Sequence, residues 1–172
     1  MGLDEIAAAA GTTTTPQRAR GVATADRTEA PLVSRLAAVE EELPCKARAA
    51  ATILRTHTAG TPIGESARAA DLAPITAAKV LHRLGVDGVC PLAPTARTIV
   101  RDWLAGSLPR AEALELTGAS DREFALAVYI ETHDPVPEAA QLTADAEVGG
   151  RDAMVEKRER LADAVGGRAG SH

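Results

Sequence analysis

The nine residues TILRTHTAG, from Thr52 to Gly60, return forty-six positions later as TIVRDWLAG, from Thr98 to Gly106. Five of the nine positions are identical, and Leu54 against Val100 makes a sixth equivalent. Each stretch reads as the last turns of a helix closed by glycine, which enters the left-handed conformation that stops a helix without steric cost. A chain that repeats a helix together with its stop signal is constrained to repeat what that helix packs against. The spacing therefore predicts a duplicated helical unit.

Composition bears on which class that unit belongs to. The chain has 172 residues, 45% of them apolar, enough to bury a core. Much of the apolar content is alanine, the best helix former, and Trp103, Phe124 and Tyr129 are the only aromatic residues. An all-α fold of close-packed helices is expected. No run of about 18 apolar residues is present, so no membrane span is expected. Asp4 and Glu5 stand where a signal peptide carries positive charge, and Ile6 stands where an N-myristoylation motif needs Ser or Thr, which leaves a cytoplasmic location. Cys45 and Cys90 have no partner at metal-ligand spacing and read as two buried thiols rather than a disulfide.

Residues 1–43 read as an N-terminal arm, in which GTTTTPQRARGVATADRTEAP has no apolar period; short helices fit at Leu3–Ala10 and Leu32–Leu43. The first trihelical unit occupies residues 44–86, with helices at Lys46–Thr58, Gly64–Ala70 and Pro74–Leu84. The second occupies 87–134, with helices at Thr95–Ala105, Pro109–Thr117 and Asp121–Thr132, the last capped by Ser120 or Asp121 with Glu123 nearby. With one residue inserted between the first and second helices, Asp71 aligns with Gly118 and Val80 with Ala127. Beyond Asp134, VPEAAQLTADAEVGG reads as a linker and RDAMVEKRERLADAV as a terminal helix with Met154, Val155, Leu161 and Val165 on one face, followed by the tail GGRAGSH.

The stretch ESARAADLAPITAAKVLHRLG resembles a helix-turn-helix. Ala67 allows close approach of the two helices, the turn lies around Asp71 to Ala73, and Val80, Leu81 and Leu84 anchor the second helix. That motif favours glycine at the turn, where this copy has Asp71; the second copy, RAEALELTGASDREFALAVYI, has Gly118. The chain as a whole, from MGLDEIAAAA to REFALAVYIETHDP, resembles a conserved, uncharacterised family of haloarchaeal proteins, which implies a high-salt cytoplasm and brings no activity with it.

If the first unit reads DNA, the Pro74–Leu84 helix enters the major groove, with Thr76, Lys79 and Arg83 outward on one face, His82 near phosphate and Arg68 holding the backbone. The alternative is that these are ordinary polar positions of a non-enzymatic interaction or adaptor module that keeps the helix-turn-helix shape. The formal charge is −5, yet the segment from His57 to Arg101 carries +2, whereas Asp102 to Asp134 carries −5. The second unit is therefore a poor DNA reader. It is suited to packing, to a homodimer contact or to a protein partner, and its three aromatics read as core. His57 reads as a packed residue. No HExxH, Cys-His pair or Gly-rich phosphate loop occurs, so neither an enzyme, a cofactor nor a metal site is expected.

Overall fold

The computed structural model describes residues 31–166, the side chains at 149–151, 153 and 163–166 excepted. The arm up to residue 30, including the helix expected at Leu3–Ala10, the GGRAGSH tail beyond its first glycine, Gly166, and the Val165 side chain lie outside the described residues. All regular structure among the described residues is helical: α1 (31–37), a 3-10 turn (Glu40–Glu42), α2 (Ala47–Thr58), α3 (Ile63–Ala69), α4 (Pro74–Arg83), α5 (Pro94–Leu104), α6 (Arg110–Thr117), α7 (Asp121–Thr132) and α8 (Pro137–Gly166).

The two repeated stretches close their helices with the same hydrogen bonds. At the end of α2 the amides of Ala59, Gly60 and Thr61 donate to the carbonyls of Arg55, His57 and Thr56; at the end of α5 those of Ala105, Gly106 and Ser107 donate to Arg101, Trp103 and Asp102. Gly60 and Gly106 both have positive φ, at 88° and 76°. The next stop also recurs. Asp71, at φ 55°, is the one non-glycine residue with positive φ among the described residues, and Gly118 takes the corresponding conformation at φ 63°. Proline opens α4 and α5, where a missing N–H removes no helical bond. Ser120 and Glu123 form a reciprocal capping box at the start of α7.

Within the first copy α2, α3 and α4 contact one another; within the second, α5 contacts both α6 and α7. The larger core joins Ala50, Ile53, Leu54, Ala67, Ala77, Val80, Leu81 and Leu84 of the first copy to Leu36 of α1, Leu126 and Ile130 of α7, and Val136, Ala139 and Leu142 around the start of α8. The smaller core consists of Val100, Ala113, Phe124 and Ala127, with Trp103 half-buried against it. Trp103 and Phe124 stack edge to face, 5.3 Å apart. Tyr129 departs from the expected aromatic core: it faces α4 instead.

Three expectations are corrected. The helix read as Leu32–Leu43 ends at residue 37, because the chain turns so that Glu40 can accept a hydrogen bond of 2.7 Å from the Ala47 amide at the start of α2. This satisfies one of the N–H groups that a helix leaves without an internal partner. The arm therefore yields packed structure from residue 31 onward, with Leu36, Val39 and Leu43 buried. The stretch read as a linker is the first half of α8, a 30-residue helix that runs through Gly149 and Gly150. Its first turns are held by tertiary contact, Thr143 donating to the Leu84 carbonyl at 2.6 Å, and this outweighs the low helix propensity of the glycines. Finally, Cys45 and Cys90 are free but only half-buried.

Candidate nucleic-acid interface

The helix expected to read DNA is α4, and its polar face is covered. From Ile75 to Arg83 no residue is exposed: Ala77, Ala78, Val80 and Leu81 are buried and the rest are half-buried. The cover is α7 together with the chain on either side of it. Lys79 lies with Nζ 4.8 Å from the centroid of the Tyr129 ring, a cation held on an aromatic face. His82 stands edge-on to the same ring, and its Nε2 donates to the His133 carbonyl. His133 stacks on Tyr129 with centroids 4.0 Å apart and donates from Nδ1 to the Tyr129 carbonyl. A carbonyl can only accept, so each ring must carry its proton on the nitrogen named. Burial pushes the Tyr129 phenol above its ordinary value, with Arg83 opposing the shift.

Of the five expected contacts, Arg83 is enclosed as well, its side chain 14% exposed. Its Nε donates to the Glu42 carbonyl at 3.1 Å, one terminal nitrogen donates to the Asp134 carbonyl, and the other lies 3.7 Å from the Glu42 carboxylate. In return the Arg83 carbonyl accepts from the Val136 amide at 2.8 Å. The guanidinium thus ties the 3-10 turn and the α7–α8 connection to the end of α4. All of its polar contacts are internal. Thr76 is half-buried, and Arg68, on α3, is the one exposed residue of the five.

The structure therefore brings Lys79, His82 and Arg83 together, but onto Tyr129, His133, Asp134 and Glu42, none of which the sequence reading placed there. One signal for them exists. Phe124 and Ala127 lie on one side of α7 and Leu126 and Ile130 on another, and a helix apolar on two sides is packed on two sides. The partner of the second side is α4.

The acidity of the second copy is partly spent internally as well. Glu131 accepts from Arg97 at 2.6 Å and from Arg101 at 2.8 Å, which pins α7 to α5. Burial pushes its carboxyl up, but the two guanidinium hydrogen bonds win and hold it below the ordinary carboxylate value. Arg110 bonds Asp121 at 2.7 Å while lying over the Phe124 ring. Among the residues this copy presents to solvent are Asp102, Glu112 and Glu115, with Arg101, Arg110 and Arg122, and the apolar Leu104 and Leu116. Among the described residues no group of three or more His, Cys, Asp or Glu is placed to hold a metal ion, and no helix is long and apolar enough to cross a membrane.

The chain belongs to a family of unknown function, DUF7858, whose model matches residues 1–170. No curated protein matches it, and no solved structure does.

Proposed function

We propose that this chain is a non-enzymatic protein-interaction module, an adaptor that keeps the helix-turn-helix shape in α3 and α4 without using it to read nucleic acid. One observation carries the reading: Lys79, His82 and Arg83 of α4 are engaged inside the molecule. Entry of a recognition helix into a major groove needs a face with donors and acceptors available to the bases. Freeing Lys79, His82 and Arg83 would require separating α4 from α7, with loss of the hydrogen bonds that Arg83 makes to Glu42 and Asp134. The partner surface in this reading is the second copy, where Leu104 and Leu116 are 40% and 58% exposed among acidic residues. A partner with an apolar stripe flanked by Lys or Arg is the complement of such a surface. The setting is a high-salt cytoplasm, in keeping with the haloarchaeal resemblance.

The rival reading, a transcriptional or architectural DNA-binding protein using Arg68, Thr76, Lys79, His82 and Arg83, is separated from this one by a titration. Fluorescence anisotropy of a randomised duplex with the full chain, from low to molar salt, is expected to show only weak binding that Lys79→Ala plus Arg83→Glu leaves unchanged. Sequence-dependent binding abolished by that pair of substitutions would sink the adaptor reading, provided the variant still folds by circular dichroism.

A further inference from the structure

A groove of about 490 Å³ lies between the start of α4, the segment at Pro91 that leads toward α5, and the first turns of α7. Its volume is within the roughly 300–1,000 Å³ of ordinary binding clefts. Apart from Arg122 and Glu123, every residue that lines it is apolar, with Pro74 and Ile75 contributed by α4 and Leu126 by α7. Leu126 belongs to the larger core and Ile75 packs against that core. The packing of the two helices thus holds these walls in place.

The two charged side chains in this lining both have bonding capacity left over. Arg122 is exposed and makes no hydrogen bond or ion pair with another described residue, so all the donors of its guanidinium are available. Glu123 accepts from the Ser120 amide at 2.9 Å and from the Ser120 hydroxyl at 2.7 Å, both at Oε2, which leaves Oε1 without a hydrogen bond. The Ser120 hydroxyl and amide hold the Glu123 carboxyl below its ordinary value, and near neutral pH it is ionised. Neighbouring residues of a helix point about 100° apart and do not face each other, and Arg122 and Glu123 form no pair. The groove therefore offers a cation, an anion and apolar walls together. A simple fatty carboxylate would meet Glu123 with like charge, and a simple amine would meet Arg122 in the same way. The smallest molecules that answer all three features carry a carboxylate, an ammonium and an apolar body, which describes a free α-amino acid with a large apolar side chain.

We propose that this groove binds a free apolar α-amino acid, with its carboxylate on Arg122, its ammonium on Oε1 of Glu123 and its side chain among Pro74, Ile75, Pro91 and Leu126. Both repeated stretches supply lining residues, so the ligand bridges α4 and α7 and stabilises the folded chain by mass action. The groove is a different site from the surface at Leu104 and Leu116, and the inference stands whether or not the adaptor reading holds.

Titration of the full chain with L-leucine, followed by NMR at the Ile75 amide and the Leu126 methyl groups, tests it. The shifts are expected to saturate by about 10 mM. L-leucinamide lacks the carboxylate, 4-methylpentanoate lacks the ammonium and glycine lacks the side chain; each is expected to bind about tenfold more weakly than L-leucine. Arg122→Gln is expected to abolish the preference for L-leucine over L-leucinamide. Glu123→Gln, whose amide oxygen still serves Ser120 in the cap, is expected to abolish the preference over 4-methylpentanoate, and circular dichroism reports that both variants fold. Shifts that rise linearly without saturating overturn the proposal, as does equal affinity of the wild type for L-leucine and its truncated relatives. Saturable binding that both substitutions leave unchanged also overturns it, because the amino acid is then held elsewhere.

Discussion

Where the second copy places Trp103 and Phe124 in edge-to-face contact, the first places His57 and Ala77 at the aligned positions. His57 is half-buried with its Nδ1 shielded and without a hydrogen-bond partner, and Ala77 is fully buried. A Phe side chain fills the middle of a three-helix unit by itself; an Ala leaves volume that something else must occupy. In the first copy the core extends beyond the copy itself, to Leu36 of α1, Leu126 and Ile130 of α7 and the start of α8. Two stretches of like sequence are thus closed in two ways. The aromatic copy seals its core with its own side chains and shows charge and leucine to solvent, whereas the alanine-rich copy recruits neighbouring helices and surrenders its polar face to them.

The difference can be broken most forcefully at Phe124. Phe124→Ala is expected to cost about 3–5 kcal/mol, read by urea unfolding, with Trp103 fluorescence reporting the loss of its neighbour; a cost below about 1 kcal/mol would mean that the second core is not organised by this ring. Next comes Gly85, which has φ 77° and would place an added Cβ 2.7 Å from the Ala140 Cβ and 3.2 Å from its Cα. Gly85→Ala should cost about 3 kcal/mol, from left-handed strain plus displacement of α8 from the first copy. A neutral outcome would show that α8 does not close that core.

A smaller effect is expected at Glu131, the clamp within the second copy. Its carboxyl is held below the ordinary value near 4.5, so its contribution to stability is present above that value and is lost as pH falls through the lower folded-state one. Glu131→Gln should cost about 1–2 kcal/mol near neutral pH and should flatten the acid limb of a stability–pH curve relative to wild type. An unchanged acid limb would remove the clamp from the account. The mildest test exchanges the turn residues between copies. Asp71→Gly should gain, and Gly118→Asp lose, about 1 kcal/mol, and equal signs for the two would contradict the equivalence of the turns.

Much of this architecture was legible in the residues. Six helices of the two copies fall within one or two residues of their expected limits, and the reciprocal cap at Ser120 and Glu123 is present. The left-handed turn at Asp71 is there too, although an aspartate stands where its counterpart has glycine. These are local features, set by caps, stops and propensity. What was not legible is what one helix does to another. Thr76, Lys79 and Arg83 share a polar face on any helical projection, and nothing within α4 says that Tyr129 will lie across it. Nor does the run VPEAAQLTADAEVGG announce the first half of a helix that continues into the expected terminal one, because its glycines argue against one and the hydrogen bond from Thr143 to the Leu84 carbonyl, which argues for one, spans 59 positions of sequence.

The double duty of α7 has a thermodynamic consequence. Tandem repeats that meet only at their borders can melt one at a time, like links of a chain. Here a single helix contributes Phe124 and Ala127 to one core and Leu126 and Ile130 to the other, so neither copy can open without withdrawing side chains from its sibling. The two stretches are expected to melt as one cooperative unit, in which Trp103 and hydrogen exchange in α2 report the same transition.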